Sequence, residues 1–257
     1  MDQNNQYKSV FLSDIHLGFS GCQSDKLDYF LNNLKCNELY LVGDIIDFWA
    51  MTDNFYWPEA HMNILNRFVE LKEEGVKVRY ISGNHDDPLR EETILEDLYN
   101  KGEPYHTIIN QLDRLDHAEK YDYITNKHGK ILLIHGDQYD SVTSNAKWIS
   151  KLGGLIYDGL IHINRPLSKR LKAMTKRAVD KGSGFDKKVR EECQKGNYNG
   201  LMCGHNHRPE IKKFDNHFYL NTGDWIESCS AIVELIDGSI QLIKMDKNNN
   251  VTKVAEL

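Results

Sequence analysis

Five segments of the chain end in residues that bind metals or move protons. "SDIH" carries Asp14 and His16, "VGD" carries Asp44, and "SGNHD" carries Asn84 and His85. "IHGD" carries His135 and Asp137, and "GHNH" carries His205 and His207. Carboxylate, carboxamide and imidazole donors suit Mn, Fe or Zn, and no cysteine stands among them to make a thiolate site. Asp14 and His16 are two residues apart, as are His205 and His207, and in an extended chain such pairs project to one side. Singly, the segments are weak signals: Gly-Asp makes turns, and Asn84-His85-Asp86-Asp87 has the composition of one. Together, five apolar runs ending in ionisable groups would be costly to bury without a cation to balance them.

The elements that must carry these residues are legible in the hydrophobic pattern. "SVFLSD", "ELYLVGD", "VKVRYISGN", "KILLIHGD" and "GLMCGHNH" read as strands, each running into one of the polar segments. Between them, "SDKLDYFLNNL" has helical spacing at Leu27, Phe30, Leu31 and Leu34, and "HMNILNRFVELKEEG" is an amphipathic helix closed by Gly75. Strands alternating with helices predict an α/β fold with largely parallel pairing. In such sheets ligands bind beyond the carboxyl ends of the strands, where all five segments fall. Towards the C-terminus, "HFYLNTGD", "SAIVELIDG" and "SIQLIKMD" read as three antiparallel strands joined by short turns. From about residue 141 to 200 the texture is helical instead, which predicts an insertion within one domain spanning 1–257. Pro166 is placed to start a helix, Gly182–Gly184 breaks the pattern, and a further helix is expected from Phe185.

The ordered series Asp14-x-His16, Gly43-Asp44, Gly83-Asn84-His85-Asp86, His135-Gly136 and Gly204-His205-Asn206-His207 resembles the calcineurin-like metallophosphoesterase superfamily, over residues 9 to about 225. The resemblance implies a sandwich of two mixed β-sheets flanked by helices, with the helical insertion as a cap. It implies two divalent metal ions, Mn first and Fe or Zn as alternatives. Asp14, His16, Asp44 and His207 would hold one ion; Asp44, Asn84, His135 and His205 would hold the other, with Asp44 shared. Ions about 3.5–4 Å apart in such sites activate water and clamp phosphoryl oxygens for in-line displacement. His85 takes the catalytic role beside them, stabilising developing charge or protonating the leaving oxygen. Asp86 and Asp137 are expected to orient ligands, with plain turn roles as the alternative.

Within that superfamily, "SDIHLG", "LYLVGDIIDFW", "YISGNHD", "LLIHGDQYD" and "GDWIESCSAIVEL" resemble the UDP-2,3-diacylglucosamine hydrolases of lipid A biosynthesis. Those enzymes split a nucleotide pyrophosphate to UMP and an acylated sugar phosphate, and their insertion caps the site and holds acyl chains. The match departs at His85, where the best-known members carry Arg after the ligand Asn. Pyrophosphate cleavage expels a good leaving group that gains little from a proton donor. An alkoxide needs one, which suits an imidazole. A general phosphomonoesterase or phosphodiesterase is therefore the alternative substrate reading, and a non-catalytic metal-binding scaffold the alternative of another class. A scaffold would be expected to have lost ligands, and this chain keeps the whole series.

Composition bounds what surrounds the site. Apolar residues make up 40 % and charged residues 27 %, the balance of a globular protein. The start of the sequence, "MDQNNQYKSV", does not read as a secretory signal, and no run reaches the roughly 18–20 apolar residues of a membrane span. Five scattered cysteines without a Cys-x-x-Cys pair imply neither a disulfide framework nor a zinc finger. The expected compartment is the cytoplasm. The net charge of −6 is uneven: residues 147–190 hold twelve Lys or Arg against three acids. That stretch, with Lys169, Arg170, Lys172, Lys176 and Arg177 beside an apolar stripe, is expected to meet a phosphorylated, lipid-linked substrate. It would also give peripheral contact with an anionic inner membrane face. A solvated helix surface is the plainer alternative. Its few aromatics, Trp148, Tyr157 and Phe185, argue against single-stranded nucleic acid. Trp49, Trp57 and Trp225 could line the cleft or the core, Asp47 and Asp224 are open, and His61, His106, His117, His128, His162 and His217 are read as surface or packing residues.

Overall fold

The structure, a computed structural model, describes residues 6–53, 55–139 and 185–257. Two compact units are present, Met1–Gly136 with Asn197–Leu257, and Asp137–Gly196. The first holds two mixed sheets. The larger pairs seven strands, and its centre is formed by β1 (Tyr7–Leu12), β2 (Cys36–Val42) and β3 (Lys77–Ile81), all parallel. β4 (Asp116–Ala118) extends that parallel run at one edge. The smaller sheet pairs five: β5 (Lys120–Ile124), β6 (Lys130–Ile134), β7 (Gly200–Cys203), β8 (Glu210–Lys213) and β9 (Phe218–Asn221), in the order β5-β6-β7-β9-β8. On its other side, β1 pairs antiparallel with β10 (Ser230–Leu235), which is followed by β11 (Ile240–Met245) and β12 (Val251–Glu256).

The continuous apolar runs have a simple cause: the central strands are buried on both faces. Alternation sends Val10, Leu12, Leu39, Leu41, Val78 and Tyr80 into one cluster and Phe11, Tyr40, Val42 and Ile81 into another. The first cluster is completed by helices. α1 (Ser24–Asn32) buries Leu27, Phe30 and Leu31. α3 (Glu59–Glu73), which follows the short α2 (Phe48–Asp53), buries Ile64, Leu65, Phe68, Val69 and Leu71. α4 (Glu92–Tyr99) and α5 (Tyr105–Leu112) complete the helices of this unit's described residues, and α5 contributes Ile108, Ile109 and Leu112. The second cluster lies between the sheets, where Tyr123, Ile131, Leu133, Met202 and Leu220 meet the larger sheet. Because β1, β2 and β3 run parallel, their carboxyl ends deliver Asp14, Asp44 and Asn84 to one edge.

The C-terminal strands differ from expectation. "HFYLNTGD" is not a neighbour of the last two strands: β9 pairs parallel with β7 in the smaller sheet. Only β10 and β11, of the three expected, are antiparallel neighbours. The chain crosses between sheets at Thr222–Gly223, where Gly223 takes φ +79, and a crossing leaves no periodic signal.

The second unit is described only at its ends. Asp137 heads a 3-10 turn, Asp137–Tyr139, and a helix, α6 (Phe185–Gly196), starts at Phe185 and buries Val189 and Cys193. The Tyr139 and Phe185 rings meet edge-on at 5.8 Å. The remainder of the expected insertion, with Pro166, His162 and most of the basic residues, lies outside the described residues. Among the described residues no helix is long and apolar enough to cross a membrane.

Candidate metal centre

Each strand end turns sharply into the site. Asp14, His16, Asp44, His205 and His207 all take left-handed φ, between 50° and 65°. Few non-glycine residues do so, and the strain, about 1–3 kcal/mol each, persists where the surroundings require it. The glycines beside them make room. A Cβ on Gly83 would stand 2.2 Å from Asp44 Oδ1, and one on Gly204 would stand 2.2 Å from Asp14 Oδ2.

The expected ligands converge in two groups. Asp14, His16 and His207 bring one donor atom each within 4.8 Å of one another, and Asp44, His135 and His205 do the same. Asp44 stands between the groups: its Oδ2 lies 3.2 Å from His135 Nε2 and 3.9 Å from His16 Nε2. His207 Nε2 lies 3.2 Å from Asp14 Oδ1. Asn84 follows β3, and its Oδ1 is buried with no hydrogen-bond partner.

Hydrogen bonds fix which atom of each residue faces inward. His16 Nδ1 bonds Asp47 Oδ2 at 3.0 Å, and His135 Nδ1–H donates to the Val42 carbonyl at 3.0 Å. Both therefore present Nε2, and both Nε2 atoms are buried without a hydrogen-bond partner. The Asp14 carboxylate accepts the His205 backbone N–H at 2.9 Å, and Asp44 Oδ1 accepts that of His85 at 2.9 Å. The His16 and His135 Nε2 atoms stand 3.9 and 3.2 Å from the Asp44 carboxylate, and with the orphaned Asn84 amide oxygen they are donors that a divalent cation fits.

The electrostatics agree. Burial works against the charged form of Asp44, yet the His135 and His16 imidazoles hold its carboxyl well below the usual range. Burial likewise opposes ionisation of Asp14, and the His207 hydrogen bond with the His135 field outweighs it. Burial alone would lower His135, but the Asp44 carboxylate raises it to about 10. His207 is raised in the same way, against burial, by Asp14 first and then by Asp224 and Asp44. A cation at this point would replace protons on the imidazoles and meet carboxylates already ionised.

His85 sits outside the two groups and is held beside them. Its Nδ1 bonds Asp47 Oδ1 at 2.8 Å, and its ring meets the His16 ring edge-on at 4.7 Å. Trp49 lies against its other side at 4.4 Å between ring centroids. Trp49 is 47 % exposed and its indole donates Nε1–H to Asp87 at 3.1 Å, so of the three tryptophans among the described residues it is the one open to solvent beside the site. Trp225 is core, and Trp57 packs against the core with its ring edge to His61.

Asp47, one of two aspartates the sequence leaves open, has a role here. It holds His16 and His85 through its two oxygens, and its Oδ1 also accepts the Ala50 N–H at 2.8 Å. Its position three residues after Asp44, within "GDIID", was the available signal. Asp86 acts on the backbone of the expected ligands' turns. It accepts the N–H groups of Ile45, Ile46 and Gly83 and the Tyr80 hydroxyl, so it ties the Asp44 turn to the Asn84 turn. Among the histidines read as packing, His61 is 2 % exposed, and its Nδ1 accepts the Gly18 N–H at 2.9 Å, fixing the loop after His16.

Comparison with known proteins follows the same line. A family model described as calcineurin-like phosphoesterase matches residues 7–209. A UDP-2,3-diacylglucosamine hydrolase from Vibrio atlanticus is 25 % identical over 248 residues, covering 88 % of this chain and 93 % of that one. One from Vibrio parahaemolyticus is 27 % identical over 249 residues, covering 90 % and 95 %. Among solved structures, Vacuolar Protein Sorting 29 from Cryptosporidium parvum is similar at 13 % identity and a TM-score of 0.49, covering 97 % and 96 %.

Proposed function

The chain belongs to the calcineurin-like phosphoesterase family, and from that premise we propose that it cleaves UDP-2,3-diacylglucosamine, or a related lipid-linked nucleotide pyrophosphate, to UMP and an acylated sugar phosphate. The observation that carries the hydrolase itself is the placement of Asp44 between Asp14/His16/His207 and Asp44's own partners His135 and His205. The substrate rests on relatives named for that reaction, matched along most of their length.

In this reading Asp14, His16 and His207 with Asp44 would hold one divalent cation, and Asp44, His135 and His205 with Asn84 would hold a second, manganese being the first candidate from the donor set. Such ions supply Lewis-acid polarisation of phosphoryl oxygens and a water nucleophile usable at neutral pH. The chain's own residues do the rest. Asp47 fixes the His16 ring so that Nε2 faces the site, and Asp44 holds the His85 backbone in place. Burial alone would lower the His85 pKa, yet the Asp47 bond and then the Asp44 charge raise it above the ordinary histidine value, which favours the protonated ring. With Nδ1 committed to Asp47, Nε2 is the nitrogen that faces substrate, donating to a phosphoryl or leaving oxygen.

A second reading has a specific observation behind it. His85 backed by Asp47 is a proton donor, and a proton donor matters most when an alkoxide leaves. Hydrolysis of a phosphodiester or phosphomonoester of an alcohol is therefore the competitor. Assaying UMP release beside hydrolysis of an alkyl phosphodiester, whose alkoxide needs the proton, separates the two. The proposal extends to peripheral contact with an anionic inner membrane face, on the charge of residues 147–190 alone. Absence of sedimentation with anionic liposomes would remove that part.

A further inference from the structure

After β9 the chain turns through Gly223 into Asp224, whose neighbour Trp225 donates its backbone N–H to the Asp14 carbonyl at 3.0 Å. Asp224 thus enters beside Asp14, the residue whose carboxylate His207 Nε2 approaches. It is 1 % exposed. Its Oδ1 caps the following turn, accepting the N–H groups of Ile226 at 2.8 Å, Glu227 at 2.5 Å and Ser228 at 3.2 Å. Its Oδ2 is buried and has no hydrogen-bond partner. A buried carboxylate oxygen without a donor is destabilising, so its retention calls for a group that can come to face it.

The histidines indicate which group. His16 and His135 each bond an oxygen acceptor through Nδ1 and keep Nε2 for the site. Histidines that ligate metals nearly always anchor the second nitrogen this way, which fixes ring orientation and raises ligand basicity. His207 already directs Nε2 at Asp14 and needs an acceptor for Nδ1–H. Its side chain is 38 % exposed, against 5 % for His16 and 0 % for His135, so it has room to turn.

We propose that Asp224 is the positioning residue for His207: when the Asp14/His16/His207 group takes up its cation, His207 settles with Nδ1–H donated to Asp224 Oδ2. Oδ1 keeps the turn, and Oδ2 keeps the ligand. The inference rests on the metal-centre reading of the site, and its test separates the two.

Metal-free protein is titrated with Mn²⁺, reading the free aqua ion by electron paramagnetic resonance. Saturable binding to wild type tests the metal centre alone; without it, that reading fails whatever Asp224 does. Given binding, Asp224→Asn keeps the volume and the capping oxygen, and should weaken the site that His207→Ala removes by about 10- to 100-fold. Adding Asp224→Asn to His207→Ala should cause no further loss. Thermal melting without metal should match wild type, since the cap is retained. Unchanged Mn²⁺ affinity in Asp224→Asn, an equal loss in both backgrounds, or a metal-free melting temperature lowered enough to account for the loss would each overturn the proposal.

Discussion

His85 Nδ1 lies 2.8 Å from Asp47 Oδ1, while the other oxygen of the same carboxylate lies 3.0 Å from His16 Nδ1. One side chain therefore couples an expected ligand to the expected proton donor. Asp47→Asn retains the volume but can accept from only one of the two imidazoles, and it removes one of the carboxylates that raise the His85 pKa. It should lower kcat by about 10²-fold or more, with a smaller rise in KM. Steady-state kinetics on the best phosphoester substrate check this. A change confined to KM would place Asp47 in binding alone.

Trp49 packs on His85 yet is half open to solvent. Trp49→Ala should leave the thermal melt nearly unchanged and lower kcat/KM by a factor of about 2 to 10, the worth of one aromatic contact. Trp49→Phe should restore most of the loss. An equal loss in both variants would mean that the indole N–H to Asp87 matters and the ring face does not.

Asp86 joins two ligand turns through three backbone N–H groups and the Tyr80 hydroxyl. Asp86→Ala strands those donors in a buried place and should destabilise the fold by roughly 3 kcal/mol. Urea unfolding of the metal-free protein reads this directly. Wild-type stability in the variant would show that water takes over the clamp.

Burial pushes the His61 pKa down to about 4. The unfolded chain takes up that proton near the ordinary histidine value, about 6.5, before the native protein does. Between those values the unfolded state binds more protons, so stability falls as the pH drops from 6.5 to 4 and is unaffected by this group above 6.5. His61→Asn keeps an acceptor for the Gly18 N–H and carries no titrating group. Its urea midpoint should fall less than that of wild type over the same window. Parallel falls would show that other groups carry the acid sensitivity.

How far these features were legible depends on what each residue faces. Strand ends that run from a buried strand into Asp14, Asp44 or His135 are legible as a set, because several apolar runs ending in buried ionisable groups would be costly without a cation. Asp47 was ambiguous since its role lies in contacts with His16 and His85, about 30 and 40 residues distant in sequence. Four strands went unread. β4 has three residues, while β8 and β12 lie at sheet edges and are largely exposed, so no apolar period marks them. β5, an edge strand of the smaller sheet, buries only Tyr123. The fate of β9 turned on a crossing between sheets, which depends on the pairing of Phe218–Asn221 with Gly200–Cys203 and not on local pattern.

The measurement that bears most directly on the account is UMP release from UDP-2,3-diacylglucosamine in detergent, by protein stripped of metal and then resupplied with Mn²⁺. The account predicts release that requires the metal and vanishes in Asp44→Ala, the residue placed between the two ligand groups. Turnover of an aryl phosphodiester alone, with the same dependence, would keep the metal-dependent phosphoesterase and discard the lipid substrate. Turnover that ignores both the metal and Asp44→Ala would contradict the account at its centre.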